Sequence, residues 1–187
     1  MTVRDVVVAV LSGMLCGGFN PLVHATDEHD KHDAPVGLLK AVREGTREFR
    51  NLSVAMGAGY ASLGSCVTSP ERGAMGIHFA NGELLNDGLL DASTPELLIY
   101  EQRGSRLHFV GVEFLVLADQ WNESHPGGEP PVLMGQHFQF VGTPNRYRLP
   151  AFYELHVWAW KDNPFGTFVD WNPDVSCADF NPDGFTH

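Results

Sequence analysis

Residues 152–160, Phe-Tyr-Glu-Leu-His-Val-Trp-Ala-Trp, constrain this chain more than any other stretch. Side chains alternate between the two faces of a strand, so Glu154, His156, Trp158 and Trp160 share one side and Tyr153, Leu155, Val157 and Ala159 the other. Both sides are mainly apolar. A strand of that kind is covered on both faces, which places Glu154 and His156 inside a core or at its mouth, where titratable groups need partners. The partners open to them are each other, a metal ion, or two polar residues in comparable settings, His78 and Glu113.

Glu113 lies in Phe-Val-Gly-Val-Glu-Phe-Leu-Val, where every neighbour is apolar or glycine. Burying an unpaired carboxylate is costly, so Glu113 is expected to bind a metal, pair with a cation or hold a proton. A general base needs the same setting, and a structural pairing with a distant arginine is the plain alternative. His78 repeats the situation in Ala-Met-Gly-Ile-His-Phe; Gly76, on its face, leaves space for a ligand or for another backbone. Two histidines and a glutamate on neighbouring strands can hold a divalent transition metal facially and leave positions open for water or substrate. The expected ligands are therefore His78, Glu113 and His156, with Glu154 as catalytic base or fourth ligand. His137 is the reserve ligand. His108 points away from Glu113, and His125 belongs to a proline-rich loop. None of these spacings is a strong metal signature, and each histidine taken singly also reads as a core residue.

With 187 residues, 43% hydrophobic and 19% charged, the chain suits one globular domain. Its net charge of -11, with only 12 Lys and Arg, argues against nucleic acid and anionic membranes as partners, because phosphate binding needs clustered cations. Residues 1–25 read as a signal peptide: Arg4, an apolar run over 6–15, the breakers Gly17, Gly18 and Pro21, then Val-His-Ala. The run is too short to span a bilayer permanently. Lipidation at Cys16 and a buried N-terminal strand are alternative readings of this segment. The expected location is periplasmic or secreted. Signal removal leaves Cys66 and Cys177, which an oxidising compartment would pair, against the alternative of two separate buried thiols.

Residues 26–35, with acidic groups around His29 and His32, are expected to form a flexible leader. The single α+β domain is expected over 36–180 and a frayed tail over 181–187. Apolar spacing predicts one amphipathic helix from 36, ending at 56–59 where glycines gather, with Gly45 weakening its continuity. Strands are predicted at 74–80, 96–102, 106–117, 132–141, 152–161 and 167–170, and loops at 84–94 and 119–131. The fold class is thus α+β, an N-terminal amphipathic helix packed on a curved antiparallel sheet or small β-barrel.

The segments Ala-Met-Gly-Ile-His (74–78), Gly-Val-Glu (111–113), Glu-Leu-His-Val-Trp-Ala-Trp (154–160) and Trp-Asn-Pro-Asp-Val-Ser-Cys (171–177) resemble those of a group of uncharacterised exported bacterial proteins. The resemblance covers 38–177 and implies export and a single domain; it carries no catalytic role over to any residue. Nucleophile-elbow, phosphate-loop and dinucleotide fingerprints do not occur in the sequence. Two functions follow from the residues. One is a metal centre, either binding a small molecule or acting on it as an enzyme; the other is a non-enzymatic barrel or cone that binds a small apolar or aromatic ligand among Tyr153, Trp158, Trp160 and Trp171.

Overall fold

Polar-interrupted apolar runs pair here into one antiparallel sheet, and the computed structural model describes residues 30–185, with side chains over 36–183. The expected signal segment, and His29 of the leader, lie outside the described residues. The chain runs α1 (Asp30–Thr46), a 3-10 turn (Arg47–Arg50), α2 (Leu52–Gly57), β1 (Tyr60–Ser69), β2 (Gly73–Asn81) and α3 (Gly82–Asp87). It continues through β3 (Leu97–Arg103), β4 (Arg106–Leu117), α4 (Ala118–Ser124), β5 (Val132–Leu133), β6 (Gln136–His137), β7 (Gln139–Val141), β8 (Phe152–Val157) and a last 3-10 turn, Pro182–Phe185. Six strands pair in the order β1-β2-β3-β4-β8-β7 as a curled half-barrel, and β5 with β6 forms a separate hairpin. Among the described residues β1 and β7 are the edges of the sheet, which takes the curved form, a half-barrel.

Extra residues curl the sheet. Val110 has no partner between the pairs Ile99–Gly111 and Tyr100–Phe109, and Met75 has none between Val67–Gly76 and Thr68–Ala74. Such bulges raise local twist and re-aim side chains. On one face Phe79, Tyr100, Val112, Phe114, Leu155 and Val157 pack with Leu38 and Val42 of α1 and with Phe49. Leu38 and Val42 stand one helical turn apart with no exposure, which contributes about 1.5–3 kcal/mol each. On the other face lie Leu97, Glu113, Leu115, Phe152, Glu154 and His156, all buried, and α3 reaches its apolar end through Leu85. Tyr147 and Leu149 cover one end of that face, and Val175 with Cys177 cover the other.

The predicted single helix is broken. α1 stops at Thr46, whose Oγ1 donates 2.6 Å to the Val42 carbonyl and accepts from Trp160 Nε1 at 3.2 Å. Asn51 then caps α2 by accepting from the Ser53 N–H. The turn between them buries Phe49, whose carbonyl accepts the Tyr100 hydroxyl at 2.6 Å, so tertiary contacts override the local periodicity. Gly45, expected to weaken the helix, has a packing reason: a Cβ there would lie 2.3 Å from the Ser93 carbonyl oxygen. Gly45→Ala should therefore destabilise the fold by about 1–3 kcal/mol through overpacking, despite alanine's helix preference of about 1 kcal/mol. A urea melt showing equal or greater stability would refute this account.

β1 was not predicted, because an edge strand with a mixed burial pattern carries no clean alternation. The predicted strand 132–141 is split by Met134 and Gly135, both with positive φ, which form the two-residue turn of the β5–β6 hairpin. Residues 167–170 are not a strand, although the Thr167 carbonyl accepts the Trp158 N–H. The expected loops at 84–94 and 119–131 contain parts of α3 and α4. Cys66 and Cys177 form a disulfide, Cα atoms 5.8 Å apart, tying edge strand β1 to the C-terminal segment. Among the described residues no helix is long and apolar enough to cross a membrane.

Candidate metal centre

Register places the site. Glu113 on β4 lies directly opposite His156 on β8, and Leu115 opposite Glu154, so both glutamates and His156 project from the same face. His78 reaches that face from β2, two strands from Glu113. Its Nε2 lies 3.2 Å from Glu113 Oε2, and His156 Nε2 lies 3.7 Å from the same oxygen. Two atoms bound about 2.1 Å from one metal at tetrahedral or octahedral angles sit roughly 3–3.5 Å apart, so the 3.2 Å separation fits ligands of a single ion and the 3.7 Å one is slightly wider. One donor atom from each of His78, Glu113 and His156 falls within 4.8 Å of the others, and the three residues are buried.

Gly76 and Gly111 explain how the strands come so close. A Cβ on Gly76 would stand 2.8 Å from the Tyr100 carbonyl, and one on Gly111 2.8 Å from that of Val157. The space left at Gly76 is filled by another backbone and not by a ligand.

A second group shares His156 with Glu154 and Asp170, again with donor atoms within 4.8 Å of one another. Asp170 Oδ1 lies 3.6 Å from His156 Nδ1 and accepts from Gln139 Nε2 at 3.0 Å. Sequence reasoning missed Asp170, Arg146 and Tyr147, which come from loops. Tyr147 sets its ring against His78, centroids 5.9 Å apart. His137 stands exposed on the separate hairpin, and neither it nor His108 or His125 joins these groups.

Burial dominates the electrostatics. It pushes His78 down to about 4, although the Glu154 charge pulls the other way, and it drives His156 well below the ordinary imidazole range with help from His78 and Arg146. Both imidazoles are thus neutral near pH 7, with lone pairs free for a metal, and their approaches to Glu113 are not ion pairs. Burial raises Glu113 to about 7, against the neighbouring Glu154 carboxyl, which lowers it. Glu154 is raised to about 9 by burial, then by the charge and closeness of Glu113. Two carboxyls so close favour holding one proton between them. Asp170 is raised by burial, the Gln139 bond opposing.

The buried polar atoms are poorly satisfied. Among the described residues, buried side-chain nitrogens and oxygens without a hydrogen-bond partner are both ring nitrogens of His78 and His156, both oxygens of Glu113, one of Glu154 and the Tyr147 hydroxyl. The 3.2 Å His78–Glu113 approach falls outside hydrogen-bonding geometry. Each buried orphan costs about 1–3 kcal/mol, yet here they converge on one spot. Glu96, just before β3, is the contrast: it is buried too, but its Oε2 accepts the Leu115 N–H at 3.0 Å.

Glu96 is raised to about 8, chiefly by burial. A carboxyl with a raised folded pKa favours the native state below its unfolded value near 4.5, and that contribution is lost as pH rises toward 8. Glu96→Gln keeps the acceptor and removes the titration. Its stability relative to the parent should therefore grow between pH 5 and pH 8 by a few kcal/mol at most, at about 1.4 kcal/mol per pKa unit. A difference in urea midpoints that stays flat across that range would contradict the buried, protonated Glu96.

A cleft of about 350 Å³ over the β3–β4 hairpin, lined by residues such as Arg50, Arg103 and Trp160, shares no residue with this site. A cavity of about 230 Å³ does open onto it, walled by Met75, Asn145, Arg146, Tyr147, Glu154 and Asp170. Neutral imidazoles, a carboxylate pair sharing a proton, and an adjoining cavity can together bind a divalent ion, present a substrate to it and move a proton. No family model, curated protein or solved structure matches the chain, so its chemistry is read from this geometry alone.

Proposed function

We propose that this protein holds a divalent transition metal through His78, Glu113 and His156 and acts on, or binds, a small molecule that enters beside Glu154. The single observation that carries the reading is the convergence of the orphaned buried atoms of His78, Glu113, Glu154, His156 and Tyr147. A cation would satisfy one ring nitrogen of His78, one of His156 and an oxygen of Glu113 together. Mixed imidazole and carboxylate donors suit zinc, iron, nickel or copper(II) better than soft copper(I) or hard calcium. Three protein ligands leave room for water or substrate, the arrangement of a catalytic rather than a closed structural site. Glu154 lines the cavity beside ligand Glu113 and is raised to about 9; a bound cation would lower it, and it would then serve as the base that takes a proton from water or substrate. The Cys66–Cys177 disulfide supports folding in an oxidising compartment, hence a periplasmic or secreted location.

Elemental analysis of protein purified without chelators, then dialysed against each candidate metal, tests the reading. About one ion per chain is expected. Protein that carries none, and retains none after dialysis, would refute it.

A further inference from the structure

We infer that the mouth of the site takes a small amphipathic carboxylate, its charged head at Arg146 and its apolar tail in a neighbouring cavity. Two cavities meet at residues 146 and 147. The first is the polar one above Glu154 and Asp170. The second, of about 220 Å³, is walled mainly by Leu63, Ala80, Leu85, Leu97, Leu115 and Leu149, and it shares Arg146 and Tyr147 with the first. At roughly 30 Å³ for each water-sized group, it has room for about seven such groups, the length of a short alkyl chain.

Arg146 supplies the charge preference. Its side chain is exposed, lies 5.1 Å over the Trp171 ring and makes its one side-chain hydrogen bond, 3.5 Å, to the Met75 sulfur. Among the described residues no carboxylate stands within 4.0 Å of it. A guanidinium with most of its five donors unused, fixed on an aromatic face, is suited to grip a carboxylate. In a chain of net charge -11, a free cation at the mouth of a cavity is what admits an anion. The inference rests on the metal reading: with a divalent ion below, the head group meets two positive charges, and without it the head would face Glu154 and Asp170.

Calorimetric titration of octanoate into the metal-loaded protein tests this, with acetate (head only) and octanol (tail only) as comparisons. Octanoate should bind at least tenfold more tightly than either. Arg146→Gln should weaken octanoate about tenfold or more and octanol far less, and Ser65→Phe, which fills the apolar cavity from β1, should reduce octanoate to the level of acetate. No saturable octanoate binding to metal-loaded protein, or binding indifferent to Arg146→Gln, would overturn the proposal and leave the metal centre standing. If the protein takes up no metal, yet octanoate binds in an Arg146-dependent way, the ligand class holds and the metal reading is what fails.

Discussion

Replacing His156 with alanine should abolish stoichiometric metal while the disulfide-bonded fold persists. Loss even of an outer partner of a metal ligand lowers affinity 10- to 100-fold, so removing a ligand should exceed about 100-fold. His156 has no exposure and belongs to both donor groups, which leaves no neighbour able to substitute without moving a strand. A ligand that binds only the native state stabilises it, by about 2.7 kcal/mol at a hundred times its dissociation constant. The parent protein should accordingly lose thermal stability when treated with a chelator, whereas His156→Ala should melt at one temperature with or without it. Glu113→Gln keeps the shape and removes the charge, and it should weaken metal uptake in the same way. Unchanged metal content in both variants would refute the ligand assignment, even if the protein bound metal elsewhere.

Reducing the Cys66–Cys177 disulfide should cost the fold about 4–5 kcal/mol in the chain-entropy model, because the bridged cysteines stand 111 residues apart. For a domain of this size that corresponds to a fall in melting temperature of roughly 10–20 °C. The bridge holds the segment bearing Asp170 and Trp171 over the site, helped by the Ala74–Asn172 bridge and by Glu101, which accepts from Lys161, Arg103 and the Ser176 N–H. Cys66→Ser with Cys177→Ser should therefore loosen metal binding as well as lower stability. Two free thiols in denatured, unreduced protein, or a double variant melting within about 3 °C of the parent, would refute this.

The candidate ligands were legible because strands announce misplaced polarity. A charge-bearing residue amid Phe, Val and Leu at period two must be buried, and His78, Glu113 and His156 are each almost fully so. Register then brought together what alternation had only sorted by face. Asp170, Arg146 and Tyr147 gave no such signal, since their positions depend on where two loops fold back over the sheet. β1 stayed hidden for a related reason: Leu63, Gly64 and Ser65 bulge out where Ser62 and Cys66 pair with Phe79 and Ile77, so inside and outside do not alternate. The helix was legible as a face but not as a length. Its end at Thr46 is fixed by Trp160 and Tyr100, which lie far along the chain.

The place of β8 between β4 and β7 sets an order of assembly. β7 precedes β8 in the chain yet, among the described strands, pairs with no other, so it has no sheet to join until residues 152–157 have docked. A chain ending at residue 151 would contain α1, the β3–β4 hairpin, His78 and Glu113, but would lack His156 and Asp170 and leave one side of β4 bare. Until β8 docks, the acids and the imidazole of His78 face an unfinished fold, in whichever compartment the chain folds. Metal uptake through the proposed ligands would therefore follow the docking of β8, and a premature stop before β8 would yield fragments without His156 and with an exposed sheet edge.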